Sequence, residues 1–189
     1  MLTRDTAGML SIGPTADREI ALRPPEERDA DLLHAACQDP EIPLWTLVPS
    51  PYTMADALAW PAEARWYAEG DRALHLIVAG AADDRLLGAV GLPELDRMRG
   101  TGEIGYWTAP WARRRGIATR AVTLLRDAAA ARLGLRSFEL VIHPDNLASI
   151  AVARRAGFEP TREVRAARRD GAGGPDHAVY AWRAASRPA

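Results

Sequence analysis

The chain has 189 residues, 48% hydrophobic and 26% charged, with a net charge of -1. That profile fits one soluble globular domain with an ordinary core, and it excludes disordered, collagenous and fibrous chains. No run approaches the roughly 18 to 20 consecutive apolar residues a membrane helix requires. Met1 to Ala16 lacks the basic-then-apolar pattern of a secretion signal, so the cytoplasm is the expected compartment. All 24 basic residues are arginine and the one cysteine is Cys37, which excludes a Walker lysine, a lysine Schiff base, an internal disulfide and a zinc ribbon. His34, His75, His143 and His177 are scattered without paired ligand spacing, and no metal is expected.

In chain order, Glu19 to Arg23 reads as a short strand closed by Pro24 and Pro25, which open a helix with Ala30, Leu33, His34 and Cys37 on one face. Pro40, Pro43, Pro49 and Pro51 make the next stretch a loop. A helix from about Ala55 to Glu69 follows, with Pro61 expected to break or kink it. Ala73 to Ala79 and Arg85 to Leu92 read as an antiparallel hairpin turning through Asp83 and Asp84, and Gly102 to Thr108 as a third strand stopped by Pro110. Gly116 to Leu133 has helical periodicity ending at Gly134. Phe138 to Ile142, apolar on both faces, predicts a central strand covered on each side. Asp145 or Asn146 can cap a helix running to Ala156, and strands near Phe158 to Arg168 and His177 to Arg183 flank a turn at Gly171 to Pro175. The expectation is a single mixed α/β domain over residues 16–184, with flexible ends at 1–15 and 185–189.

Charge is divided along the chain. Glu26 to Asp71 carries ten acids against two arginines, while Arg97 onward carries seventeen arginines against eight acids. Folded together, these segments suggest a cleft with one acidic and one basic wall. The arginines lie mainly on amphipathic helices, so no nucleic-acid partner is expected.

Two motifs carry candidate chemistry. Gly102-Glu103-Ile104-Gly105-Tyr106-Trp107-Thr108 leads through Pro110-Trp111 into Arg113-Arg114-Arg115-Gly116-Ile117-Ala118. A strand entering a tight turn before a helix leaves backbone N–H groups aimed at one spot, with Gly116 for close approach and three arginines for charge, a pattern suited to phosphate. The second is Asn146-Leu147-Ala148-Ser149, which opens a helix ending in Ala156-Gly157-Phe158. Asn146 and Ser149 are three apart and share a face of its first turn, where Asn146 can cap the helix, contact a ligand, or do both.

These segments resemble the acetyl-CoA-binding core of the GNAT acetyltransferases, particularly the Rim-type branch that acetylates ribosomal-protein N-termini; the early Trp45 and Pro51-Tyr52-Thr53 stretch is also similar to bacterial members of that branch. The resemblance implies a splayed, mostly antiparallel sheet of about seven strands with helices on both faces. It implies that acetyl-CoA lies with its pantetheine arm between the strand ending near Thr108 and the one ending near His143, its pyrophosphate on Arg114 to Ala118, and Asn146 in contact with it. Many members carry a tyrosine where this chain has Ala153. Ser149, the Rim-type serine, is the substitute candidate for bonding the departing sulfur, and the alternative for Ser149 is helix capping alone.

An amine attacks a thioester only when neutral, so a base is expected. Glu103 is the leading candidate, acting directly or through water, with burial raising its pKa. His143 is a reserve, backbone N–H groups around Tyr106 to Thr108 would polarise the acetyl carbonyl, and Cys37 is expected in the core, which favours direct transfer over an acetyl-cysteine. Trp45, Tyr52, Trp60, Trp66 and Tyr67 are expected to gather among the acids of Asp39 to Asp71, as a site for a cationic amine, a peptide N-terminus or a small amine. The predicted function is N-acetyltransfer, with a homodimer compatible with it. A non-catalytic CoA-binding regulatory module and a longer-chain acyltransferase are the alternatives.

Overall fold

The computed structural model describes residues 10–165 and 176–184. Eight strands form one sheet: β1 (Thr15–Ala16), β2 (Ile20–Arg23), β3 (Leu74–Gly80), β4 (Leu86–Asp96), β5 (Thr101–Thr108), β6 (Ser137–Ile142), β7 (Glu159–Val164) and β8 (His177–Arg183), in the order β1-β2-β3-β4-β5-β6-β8-β7. Five helices accompany them: α1 (Ala30–Cys37), α2 (Glu41–Trp45), α3 (Met54–Glu69), α4 (Ile117–Leu133) and α5 (Leu147–Arg155).

Every neighbouring pair is antiparallel except β5 and β6. That parallel pair is short: Thr101, Gly102 and Glu103 face Ser137, Phe138 and Glu139, and there the pairing stops. Both strands continue, β5 to Thr108 on β4 and β6 to Ile142 on β8. Held on their outer edges and released on their inner ones, they leave a split in the middle of the sheet. β4 also carries a bulge, where Leu92 and Pro93 oppose Ile104 alone. Proline has no N–H to give the ladder, and a bulge is where that lack costs least.

The alternation of the strands feeds two cores. Leu74, Leu76 and Val78 of β3, Ile104 of β5 and Phe138, Leu140 and Ile142 of β6 pack under α4, which buries Ile117, Ala121, Val122, Leu125 and Ala129, and under the Ala153 face of α5. Ile77 and Ala79 point the other way, against Leu33 and Cys37 of α1 and Ala57 of α3. Leu10 and Ile12, ahead of the predicted start of the domain at Ala16, are buried, and Leu10 N–H donates to Ala68 at the end of α3.

Three expectations change. Pro61 does not break α3, which runs from Met54 to Glu69 behind a capping box of Thr53 and Asp56. A proline deletes only its own bond to the carbonyl four residues back, and buried Ala57, Ala64 and Ala68 anchor both halves. The proline-rich loop contains a short helix, α2. β6 is covered on one face only, with Val141 37% exposed, because α1 and α3 sit over β3 and β4 instead. The Gly171 to Pro175 turn lies outside the described residues.

Phe138 sits at the middle of the three shared positions, opposite Gly102, and is fully buried. Phe138→Ala should cost about 3–5 kcal/mol of unfolding free energy, read by urea denaturation followed by tryptophan fluorescence; a loss under 1 kcal/mol would mean that the split does not depend on this anchor.

Candidate active site

The end of β5 passes through a short turn, Pro110–Ala112, pinned where the Trp111 indole N–H donates to the Leu86 carbonyl at 2.9 Å. Two residues with positive φ then reverse the chain, Arg114 at 61° and Gly116 at 77°. Gly116 is the N-cap of α4 and offers no side chain to it. The first helical bond runs from Arg120 N–H to the Gly116 carbonyl. The N–H groups of Ile117, Ala118 and Thr119 therefore have no acceptor among the described residues. A Cβ at Gly116 would meet nothing within 4 Å, so the space before these amides is open. Arg114 and Arg115 are exposed beside it, and neither makes an ion pair among the described residues. Free amides, open space and two unpaired cations fit a diphosphate. Ile117 contributes only its backbone, its side chain being 3% exposed in the core.

Arg113 has a different task from the one its motif predicts. Its guanidinium donates to both carboxylate oxygens of Asp39 at 2.8 and 3.1 Å, and lies 3.1 Å from Glu41. Asp39 is held below the usual carboxylate range by that bond. At its other end, α2 lays Trp45 against His143, ring centroids 5.3 Å apart, just past β6. A five-residue helix thus ties the end of β5 to the end of β6, bridging the split. The Nδ1 of His143 accepts the Asp145 N–H at 3.1 Å, which commits this reserve base to its own turn.

Glu103 stands at the root of the split, opposite Glu94 on β4 and Glu139 on β6. Arg162 takes Glu139 with two bonds of 2.6 and 2.8 Å, whereas the Glu103 carboxylate has neither a hydrogen bond nor an ion pair among the described residues. Burial first, then the charges of Glu94 and Glu139, push its carboxyl above the ordinary value. A cavity of about 470 Å³ opens here, lined by Glu94, Gly102, Glu103, Glu139 and Arg162 among others. Further along the same face of β5, Gly105 lies opposite Gly91, itself opposite His75. A Cβ at Gly105 would make only ordinary contact with Pro93, whereas one at Gly91 would strike the Leu74 carbonyl, so Gly91 serves the close approach of β3. Trp107 follows, its ring packed on the second core.

On the opposite face, Tyr106 reaches α5. Its hydroxyl lies 2.7 Å from that of Ser149, across the split. Ser149 is thus more than part of a cap: its N–H donates to Asn146 Oδ1 at 3.0 Å, which is the cap, while its Oγ is engaged by Tyr106. Sequence reasoning named Tyr106 only for its backbone, and no local signal pairs it with a residue 43 positions away. Ala153, one turn on, is fully buried. Thr108 gives its carbonyl to Arg113 at 3.4 Å.

The expected aromatic cluster holds only in part, with Trp66 and Tyr67 edge to face, ring centroids 5.0 Å apart. Trp45 lies on His143, Tyr52 and Trp60 pack on the second core, and Trp66 is stacked under Arg72 at 3.5 Å. Trp60 and Tyr67 flank His75, which burial holds toward its neutral form. Cys37 is buried, its thiol pushed up to about 12 by desolvation, which disfavours the reactive thiolate.

The Asp39 tie has a testable sign. A carboxyl depressed by its partner stabilises the fold above its unfolded pKa and loses that contribution as pH falls through the folded value. Arg113→Ala should therefore cost about 1–2 kcal/mol near neutral pH, and the deficit should vanish in acid; chemical denaturation of both proteins at several pH values measures it.

Sequence and fold are similar to those of known proteins. The acetyltransferase (GNAT) domain profile matches residues 19–159. The probable N-acetyltransferase YjcK of Bacillus subtilis is 39% identical over 93 residues, 48% of this chain, and the chain spans about half the length of that curated relative. Among solved structures, the microcin C7 self-immunity acetyltransferase MccE, in complex with acetyl-CoA and AMP, superposes with a TM-score of 0.79 at 22% identity, covering 89% of this chain and 94% of its own. Mycobacterium smegmatis RimJ, in complex with CoA-disulfide, does so at 0.77 and 24% identity, covering 91% and 86%. A single splayed sheet, an open amide turn at the head of α4 and a family profile spanning most of the chain together place this protein in the GNAT acetyltransferase family.

Proposed function

We propose that the chain transfers an acetyl group from acetyl-CoA to a primary amine, a peptide or protein N-terminus or a small amine, by direct attack while both substrates are bound. One observation carries this reading: β5 and β6 part at Glu103 and Glu139, and the gap runs toward the free amides of Ile117 to Thr119. Acetyl-CoA supplies the activated carbonyl and a thiolate leaving group.

The chain's own groups are suited to the rest. The amides at the head of α4, with Arg114 and Arg115, hold the diphosphate. Along a strand, backbone N–H and C=O alternate between its two edges, so alternate residues from Ile104 to Thr108 present polar groups into the split, where they pair with the pantetheine amides and polarise the acetyl carbonyl. The Asn146 carboxamide has its oxygen occupied by Ser149 and keeps its NH₂ for the cofactor. Glu103 takes the amine proton, a task helped by its raised pKa. The buried Cys37 argues against a covalent relay, and the unpaired carboxylates Glu94 and Glu103 favour a cationic acceptor.

The direct test is acetyl-CoA with a broad panel of peptides and small amines, read by thiol release and product mass. Acceptor-dependent acetylation is expected; tight acetyl-CoA binding with no product from any amine would leave a regulatory module instead.

Glu103→Gln separates chemistry from folding. As a base, Glu103 works only when ionised, so kcat/KM should climb with pH through its raised pKa, and the variant should lose about 10²-fold or more with that limb of the profile. Stability should move oppositely. A carboxyl with a raised folded pKa destabilises the fold once pH exceeds the unfolded value, so the neutral amide should melt higher than wild type near pH 7. Unchanged turnover would remove Glu103 as the base.

A further inference from the structure

Tyr106 and Ser149 approach from opposite sides of the split, one on β5 and one on the first turn of α5, and their hydroxyls meet at 2.7 Å. Among the described residues no other side chain bonds either hydroxyl. Two hydroxyls in contact share one hydrogen, and the direction of sharing decides what Ser149 can do. If Ser149 donates to Tyr106, its only hydrogen is consumed and nothing on it can face a sulfur atom. If Tyr106 donates, the serine hydrogen is free. A phenol is a stronger acid than an aliphatic alcohol, and an alcohol oxygen is the better acceptor, so the second arrangement is favoured. Burial pushes the Tyr106 phenol up to about 12, which keeps its proton in place at working pH. Ala153 leaves α5 without a phenol of its own on the next turn.

We infer that Tyr106 is a positioning residue: its O–H donates to Ser149 Oγ, which turns the serine O–H into the split to hydrogen-bond the sulfur released when the thioester breaks. The inference rests on the acetyltransfer reading above. In that step the amine nitrogen bonds to the acetyl carbon, the C–S bond breaks with its electron pair on sulfur, and the amine proton passes to Glu103. Ser149 keeps its proton, and the thiolate is protonated later by water.

The test is a cycle of Tyr106→Phe, Ser149→Ala and the double variant, each checked for folding by thermal melting. Tyr106→Phe deletes one oxygen atom and should lower kcat about tenfold, the worth of one hydrogen bond to a charged group, with KM for acetyl-CoA within about twofold. In the Ser149→Ala background it should cost nothing further, because a residue acting through another has no effect once that other is gone. The second readout is the titration of the CoA thiol bound to each protein, followed by its ultraviolet thiolate band. Loss of either hydroxyl should raise that titration by the same amount. Unchanged kcat and thiol titration in Tyr106→Phe, or losses that multiply in the double variant, would overturn the inference. If the wild type binds CoA but acetylates no amine, the acetyltransfer reading fails and the thiol titration alone decides this one, equal rises supporting it and no rise overturning it. If CoA does not bind, both fall.

Discussion

The arrangement depends on strand pairing that ends early. β5 and β6 share only three register positions, after which each follows its outer neighbour. A backbone edge released inside a sheet is costly unless something pairs with it, so the split is both a weakness of the fold and the place a ligand with its own amides can enter. Around it the structure is overdetermined. Phe138 and Leu140 anchor β6 in the core under α4, the indole of Trp111 pins the turn beyond β5, and α2 ties the two strand ends through Arg113 with Asp39 and Trp45 with His143.

Charge is arranged by what is left unpaired. Much of the contrast between the acidic early segment and the arginine-rich later one is absorbed internally, as in Arg113 with Asp39, Arg120 with Asp17 and Glu19, and Arg162 with Glu139. Among the described residues Arg114 and Arg115 make no ion pair beside the amides that open α4, and Glu94 and Glu103 make none at the root of the split. Two cations thus stand past the end of β5 and two acids near its start, a polarity that suits the proposed anionic donor and cationic acceptor.

The alternation of β5 sorts its side chains by task. Glu103, Gly105 and Trp107 face the side covered by α1 and α3, whereas Ile104 and Tyr106 face α4 and α5. The groups proposed for proton removal and for bonding the departing sulfur therefore fall on opposite faces of one strand. The bulge at Leu92 and Pro93 brings Glu94 into register with Glu103, where its charge adds to burial in raising the Glu103 carboxyl.

Local patterns sufficed for the strand before Thr108, the helix from Gly116 to Gly134, the turn with its free amides and the Asn146 cap, because each rests on hydrogen bonds and backbone angles between residues close in the chain. Glu103 and Ser149 became catalytic candidates through the resemblance to the family rather than through local pattern. What local patterns could not supply was any pairing between distant segments. The Arg113 side chain belongs to an acid 74 residues earlier, Tyr106 meets Ser149 43 residues later, and Trp45 packs on His143 rather than on the other aromatics. Pro61 is tolerated inside α3 because the alanines on that helix are buried against the body. Sequence alone determined which groups could do chemistry; the tertiary structure decided which face one another, since only the register of the sheet and the packing of the helices set distances across the chain.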